Sequence, residues 1–82
     1  MNKIKVLFFA TLRDRAGTKS LELEIPVDMT VRALKDNLVG DYPNLKESMK
    51  AVLVSVNKEY APDESIIPQD AEVALFPPVS GG

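Results

Sequence analysis

Residues Lys3 to Leu12 alternate β-branched and aromatic side chains, with Ile4, Val6 and Phe8 on one face and Leu7 and Phe9 on the other. Apolar groups on both faces predict a strand in the middle of a sheet. Arg13 to Thr18, with a tight turn at Gly17, separates it from Ser20 to Ile25. There Leu21, Leu23 and Ile25 alternate with Ser20, Glu22 and Glu24, which predicts a half-buried strand and makes the pair a hairpin. Pro26 closes the second strand, and Asp28 or Thr30 can cap a following helix, because either side-chain oxygen can accept from an orphan amide of the first turn. Val31, Leu34 and Leu38 share one face of that helix, Arg32, Lys35 and Asp36 point away, and Gly40 is the stop signal. Tyr42-Pro43 breaks the chain, and Asn44 to Met49 adds a short helical turn that carries Leu45 and Met49 inward.

Val52, Val54 and Val56 alternate with Leu53 and Ser55 in a third strand. Asn57-Lys58 turns the chain into a short strand at Glu59 to Ala61, and an irregular stretch rich in Pro and acidic residues tucks Ile66 and Ile67 into the core. The last strand is Ala71 to Phe76. A hairpin, one crossing helix and then further strands is the element order of the β-grasp, an α+β fold in which a mixed sheet of about five strands packs on one main helix. In that arrangement the first and last strands pair in parallel at the centre. Residues 1–76 then form a single domain, and residues 77–82 an extended tail.

With 82 residues, 45% of them hydrophobic and 27% charged, the chain has the makeup of a small globular protein. A net charge of -2 and the lack of a Lys/Arg-rich face argue against a nucleic-acid partner. The apolar run after Lys3 and Lys5 is short and is followed at once by Arg13-Asp14-Arg15, so it reads as a strand and neither as a targeting signal nor as a membrane span. A cytoplasmic location is the default expectation. Cysteine and histidine are absent, which removes the thiol nucleophile, the usual base near neutral pH and the usual soft-metal ligands. Gly17, Gly40, Gly81 and Gly82 cannot form a phosphate-cradling loop. A catalytic pocket or bound metal made by this chain alone is therefore not expected.

Three features have two readings each. A single helix covers one face of a sheet, so Leu7, Phe9, Tyr60 and Phe76 either sit under loops or form an exposed aromatic patch fit for docking a protein. The acids Glu59, Asp63, Glu64, Asp70 and Glu72, in a stretch without Lys or Arg, form either a solvated loop or a field that steers a basic partner. The tail Pro77-Pro78-Val79-Ser80-Gly81-Gly82 combines a stiff, extended start with an end bare of side chains. Its reading is either a frayed terminus or a thin carboxylate probe.

The opening Val6-Leu7-Phe8-Phe9-Ala10-Thr11-Leu12-Arg13-Asp14, with Gly17 following, and the closing Phe76-Pro77-Pro78-Val79-Ser80-Gly81-Gly82 resemble the MoaD family, the small subunits of molybdopterin synthase, within the MoaD/ThiS group of ubiquitin-like sulfur carriers. The likeness spans the chain in length and element order, and its most specific part is the Phe-Pro-Pro-Val-Ser-Gly-Gly end. The resemblance implies that a MoeB-like adenylating enzyme, using ATP and magnesium, activates the Gly82 carboxylate as an acyl-adenylate. A sulfur donor protein then leaves a thiocarboxylate, which gives its sulfur to cyclic pyranopterin monophosphate beside a MoaE-like large subunit. The chain would be a non-catalytic subunit that binds no cofactor of its own. Gly82 would be the reactive residue, and Gly81, Ser80, Val79, Pro78 and Pro77 would thread into the partners. Phe9, Phe76, Tyr60, Leu7 and Arg13 would form the docking surface. Other pathways remain open: a sulfur carrier for thiamine or cysteine biosynthesis, a ubiquitin-like modifier that forms isopeptide bonds, or an interaction module with an inert tail.

Overall fold

A computed structural model describes residues 1–78. Five strands form one sheet in the order β2-β1-β5-β3-β4, with β1 at Asn2–Phe8, β2 at Ser20–Ile25, β3 at Leu53–Val56, β4 at Glu59–Tyr60 and β5 at Glu72–Phe76. β1 runs parallel to β5, pairing Val6 with Val73 and Phe8 with Leu75, and the other pairs are antiparallel. The parallel centre and the single long helix are those expected of a β-grasp. Ile4, Val6, Phe8, Val54, Val73 and Leu75 turn to one face and are buried there with Val31, Leu34 and Leu38 of the long helix.

That helix, α2, spans Val31–Asp41, and its first turn has all four of its amides satisfied. The Ala33 amide donates to the Thr30 hydroxyl at 3.1 Å and the Leu34 amide to the Thr30 carbonyl at 3.0 Å. The Val31 and Arg32 amides donate to the Ser65 and Asp63 carbonyls at 2.9 and 3.0 Å. Helix starts leave such amides orphaned unless something accepts from them. Thr30, one of the two candidate caps, takes this role. The acidic loop completes it, and Lys35 to Asp63 at 2.5 Å and Arg32 to Glu64 at 2.7 Å fasten that loop to the helix.

Several sequence expectations need correction. The first strand stops at Phe8, and a short helix, α1, occupies Thr11–Ala16 where a strand end and a turn were expected. Leu, Arg and Ala are good helix formers, and Gly17 caps the helix in the left-handed region, φ 76, with its amide donating to the Arg13 carbonyl at 3.0 Å. Leu12 is fully buried and enters the core from this helix. Gly40 does not stop α2 and lies inside its last turn. The stop is Pro43, which forces Tyr42 to φ -129, ψ 78 and so ends the helix one residue before it. Ile67 is buried, whereas Ile66 is 53% exposed, because the extended chain there sends successive side chains to opposite sides.

Thr30→Ala removes the side-chain acceptor and leaves the Ala33 amide unpaired. It is expected to lower stability by about 1 kcal/mol in urea unfolding, and Thr30→Ser to lower it far less.

Candidate functional site

The strands that bury Val6, Phe8, Val73 and Leu75 on α2 send their intervening residues to the opposite, outer face. Register places those residues in rows across the sheet. Lys5 lies between Glu22 and Glu72. One step further along, Leu7 pairs with Ala74, Ala74 with Ser55, and Ser55 with Tyr60. Beyond these, Phe76 pairs with Leu53, and Phe9 joins the row through its amide, which donates to the Leu75 carbonyl at 3.2 Å.

This third row is aromatic. The rings of Phe9 and Phe76 stack with centroids 4.6 Å apart and planes 14° from parallel, and yet they are 40% and 36% exposed. Leu53 of the same row is 44% exposed, and Tyr60, at the far end of the neighbouring row, 72%. Ala74 is buried beneath its neighbours without belonging to the core cluster. Among the described residues no helix covers this face. The structure therefore resolves the two readings of the aromatic residues in favour of exposure.

β5 delivers its last residue into this row, and the chain continues into half-buried Pro77 and exposed Pro78. The root of the tail thus leaves from the aromatic row itself. Val79, Ser80, Gly81 and Gly82, named above as threading and reactive residues, lie outside the described residues. On the β2 side of the row, a shallow cavity of about 270 Å³ is lined by Lys5, Leu7, Phe9, Arg13, Lys19 and Ser20. None of its three cations takes part in an ion pair within 4 Å among the described residues. By contrast, Asp63 and Glu64 of the acidic stretch are engaged by α2, so two of the five acids of the expected steering field hold the fold together instead.

Of the residues that sequence reasoning placed together, Leu7, Phe9 and Arg13 line one cavity, and Phe76 reaches them through its stack on Phe9. Tyr60 is on the same face but two strands away from Leu7's neighbour Ala74. Leu53 was left out of the expected surface although its alternation with Val52 and Val54 points it outward. Lys19 was also left out, since only the β1–β2 register brings it beside Arg13. Among the described residues no group of three His, Cys, Asp or Glu side chains is arranged to hold a metal, and no helix is long and apolar enough to cross a membrane.

The family model described as "ThiS family" matches residues 6–82, the fold and the tail alike. The chain belongs to the ThiS family. A molybdopterin synthase sulfur carrier subunit from Arabidopsis thaliana is 39% identical over 80 residues, covering 98% of this chain and 83% of that protein. A solved structure of a putative molybdopterin converting factor, subunit 1, from Pyrococcus furiosus superposes with a TM-score of 0.86 at 29% identity, covering 96% of this chain and all of the other. The small archaeal modifier protein 1 of H. volcanii superposes with a TM-score of 0.84 at 28% identity, again over 96% of this chain and all of the other. The first two proteins are named for molybdopterin, and the third is named a modifier.

A stacked, half-exposed pair has a measurable coupling. A double-mutant cycle of Phe9→Ala and Phe76→Ala, read by urea unfolding, is expected to give an interaction energy of about 0.5–1.5 kcal/mol. Strict additivity would show that the rings do not stack in solution.

Proposed function

We propose that this chain is the sulfur carrier subunit of a molybdopterin synthase. The observation that carries the reading is the position of the tail root. A chain of the ThiS family, ending in Gly-Gly, emerges from an exposed aromatic row that no part of the described fold covers. An apolar surface next to a reactive terminus suits a protein that docks on an enzyme and feeds its own end into that enzyme's active site.

A carboxylate resists nucleophilic attack because it is anionic and lacks a leaving group. In the proposed cycle an adenylating enzyme with ATP and magnesium joins the Gly82 carboxylate to the α-phosphate, and pyrophosphate leaves. Sulfur from a donor protein displaces AMP, and Gly82 becomes a thiocarboxylate. Docked on the large synthase subunit, the thiocarboxylate sulfur bonds to a carbon of cyclic pyranopterin monophosphate, and water then cleaves the acyl–sulfur bond, leaving the sulfur on the pterin and Gly82 as a carboxylate again. The chain supplies no acid, base or metal to these steps; its partners do. A cytoplasmic location, where ATP is available for the adenylation, suits this cycle.

The tail has a mechanical part. Extended, Pro77 to Gly82 reaches roughly 20 Å at about 3.3 Å per residue, enough to enter a buried site. The prolines pre-order its first third and so reduce the entropy lost on threading. Gly81 and Gly82 pass where a Cβ would not. Ser80 serves as a small polar spacer. Phe9, Phe76, Leu7 and Leu53 form the centre of the docking surface, with Tyr60 and Arg13 at its margins. The likeness to an archaeal modifier supports a second reading, in which Gly82 is joined to lysines of target proteins.

Removing Gly82 separates the two parts of the proposal. The truncated chain is expected to fold and to bind the large subunit as the full chain does, while sulfur transfer in a reconstituted synthase is lost; full transfer would sink the mechanism. Phe76→Ala is expected to weaken binding to the large subunit by about tenfold or more, measured by calorimetry on the folded variant. Unchanged affinity would move the docking surface elsewhere.

A further inference from the structure

Among the described residues, five other than glycine have a positive φ: Ala10, Asp28, Asn57, Lys58 and Asp70. Asn57 and Lys58 form the turn between β3 and β4, where two positive values in succession suit a tight hairpin. Asp28 and Asp70 are of a type that tolerates the left-handed region, since a short polar side chain can bond locally. Ala10 has no such excuse. Its φ of 52 is combined with a ψ of -127, the geometry of the first central position of a type II′ turn, which glycine dominates. The Leu12 amide closes that turn on the Phe9 carbonyl at 3.1 Å, and the Arg13 amide follows on the Ala10 carbonyl at 3.1 Å.

The strain brings no packing in return. Ala10 is exposed and lies outside the core cluster, so within this chain its methyl group has only a conformational cost. The turn needs its backbone shape, because it swings the chain from β1 into α1 and sets Phe9 on Phe76. Glycine would supply the same shape without the strain. Strained residues of this kind concentrate at functional and clamping sites, where an interaction made elsewhere gives the strain a use. Ala10 joins Phe9 of the aromatic row to Arg13 of the cationic cavity, and so bridges the two halves of the candidate surface.

We propose that the Ala10 methyl group is a partner contact: the docking surface continues from the Phe9–Phe76 stack over the strained turn, and a flat apolar patch on the partner buries this methyl. The inference rests on the proposed docking role of the outer face, and adds to it a contact that the free chain holds in readiness at its own expense. It also gives the surface a rigid shoulder, since a backbone restricted by a Cβ presents one shape to its partner where glycine would sample several.

The test compares Ala10→Gly with the unaltered chain in two measurements, thermal unfolding of the free protein and calorimetric binding to the purified large synthase subunit. Opposite signs are expected. The melting temperature of the variant should rise by about 4 °C or more as the strain is relieved. Its affinity should fall by about fourfold, the loss of one buried methyl group. A variant that is more stable and binds equally well or better would overturn the inference and leave the docking role intact. A variant that is no more stable would overturn it by showing that Ala10 is not strained. Failure of the unaltered chain to bind the large subunit would overturn the docking role and this inference with it.

Discussion

The parallel pairing of β1 with β5 is the constraint from which the candidate site follows. Sixty-three residues of sequence lie between Phe8 and Glu72, and the pairing closes that loop at the centre of the sheet. Because the strands are parallel, both reach their C-terminal ends on the same side. The end of β1 carries Phe9 and the turn into α1, and the end of β5 carries Phe76 and the root of the tail. Two aromatic rings far apart in sequence are thereby stacked at 4.6 Å. An antiparallel pairing of the same strands would have put them at opposite ends.

The second constraint is the ratio of one long helix to five strands. α2 buries one face of the sheet, and its first turn is tied down by Thr30 and by the loop around Asp63 to Ser65, so the helix is committed to that face. The outer face is left with Leu7, Leu53, Phe9, Phe76 and Tyr60 at varying exposure. In a small domain such a face is a liability for solubility unless a partner covers it. Its position beside the tail root turns the liability into a docking surface in the proposed role. Charge divides along the same lines: the acids at Asp63 and Glu64 are used inside the fold, whereas Lys5, Arg13 and Lys19 line the cavity beside Phe9 without an ion pair among the described residues.

The strands were legible because their alternation is strong. Ile4, Val6 and Phe8 against Leu7 and Phe9, and Val54 against Leu53, declare both the faces and the central place of β1. The helix α1 was not legible, since at six residues it is too short to show a 3.6-residue period, and its start depends on an Ala10 backbone geometry that no propensity suggests. Gly40 misled for a related reason: glycine marks helix ends often, but the preference of Tyr42 for an extended backbone before Pro43 is the stronger local rule here. Ile66 and Ile67 could not be told apart by hydrophobicity, as only the path of the chain after the Ser65 carbonyl decides which one enters the core. The chemistry assigned to the end of the tail belongs to the proposed function, since Val79 to Gly82 lie outside the described residues.

The central claim is that the Gly82 carboxylate is the group on which the protein's chemistry takes place. Its most direct test is the intact mass of the purified chain, with its own C-terminus, after incubation with an adenylating partner, ATP, magnesium and a sulfur donor. The account predicts a mass increase equal to the replacement of one oxygen by sulfur, confined to the C-terminal peptide and absent without ATP. An unchanged mass in the presence of an active partner, or a ladder of chains joined through lysines in its place, would contradict it.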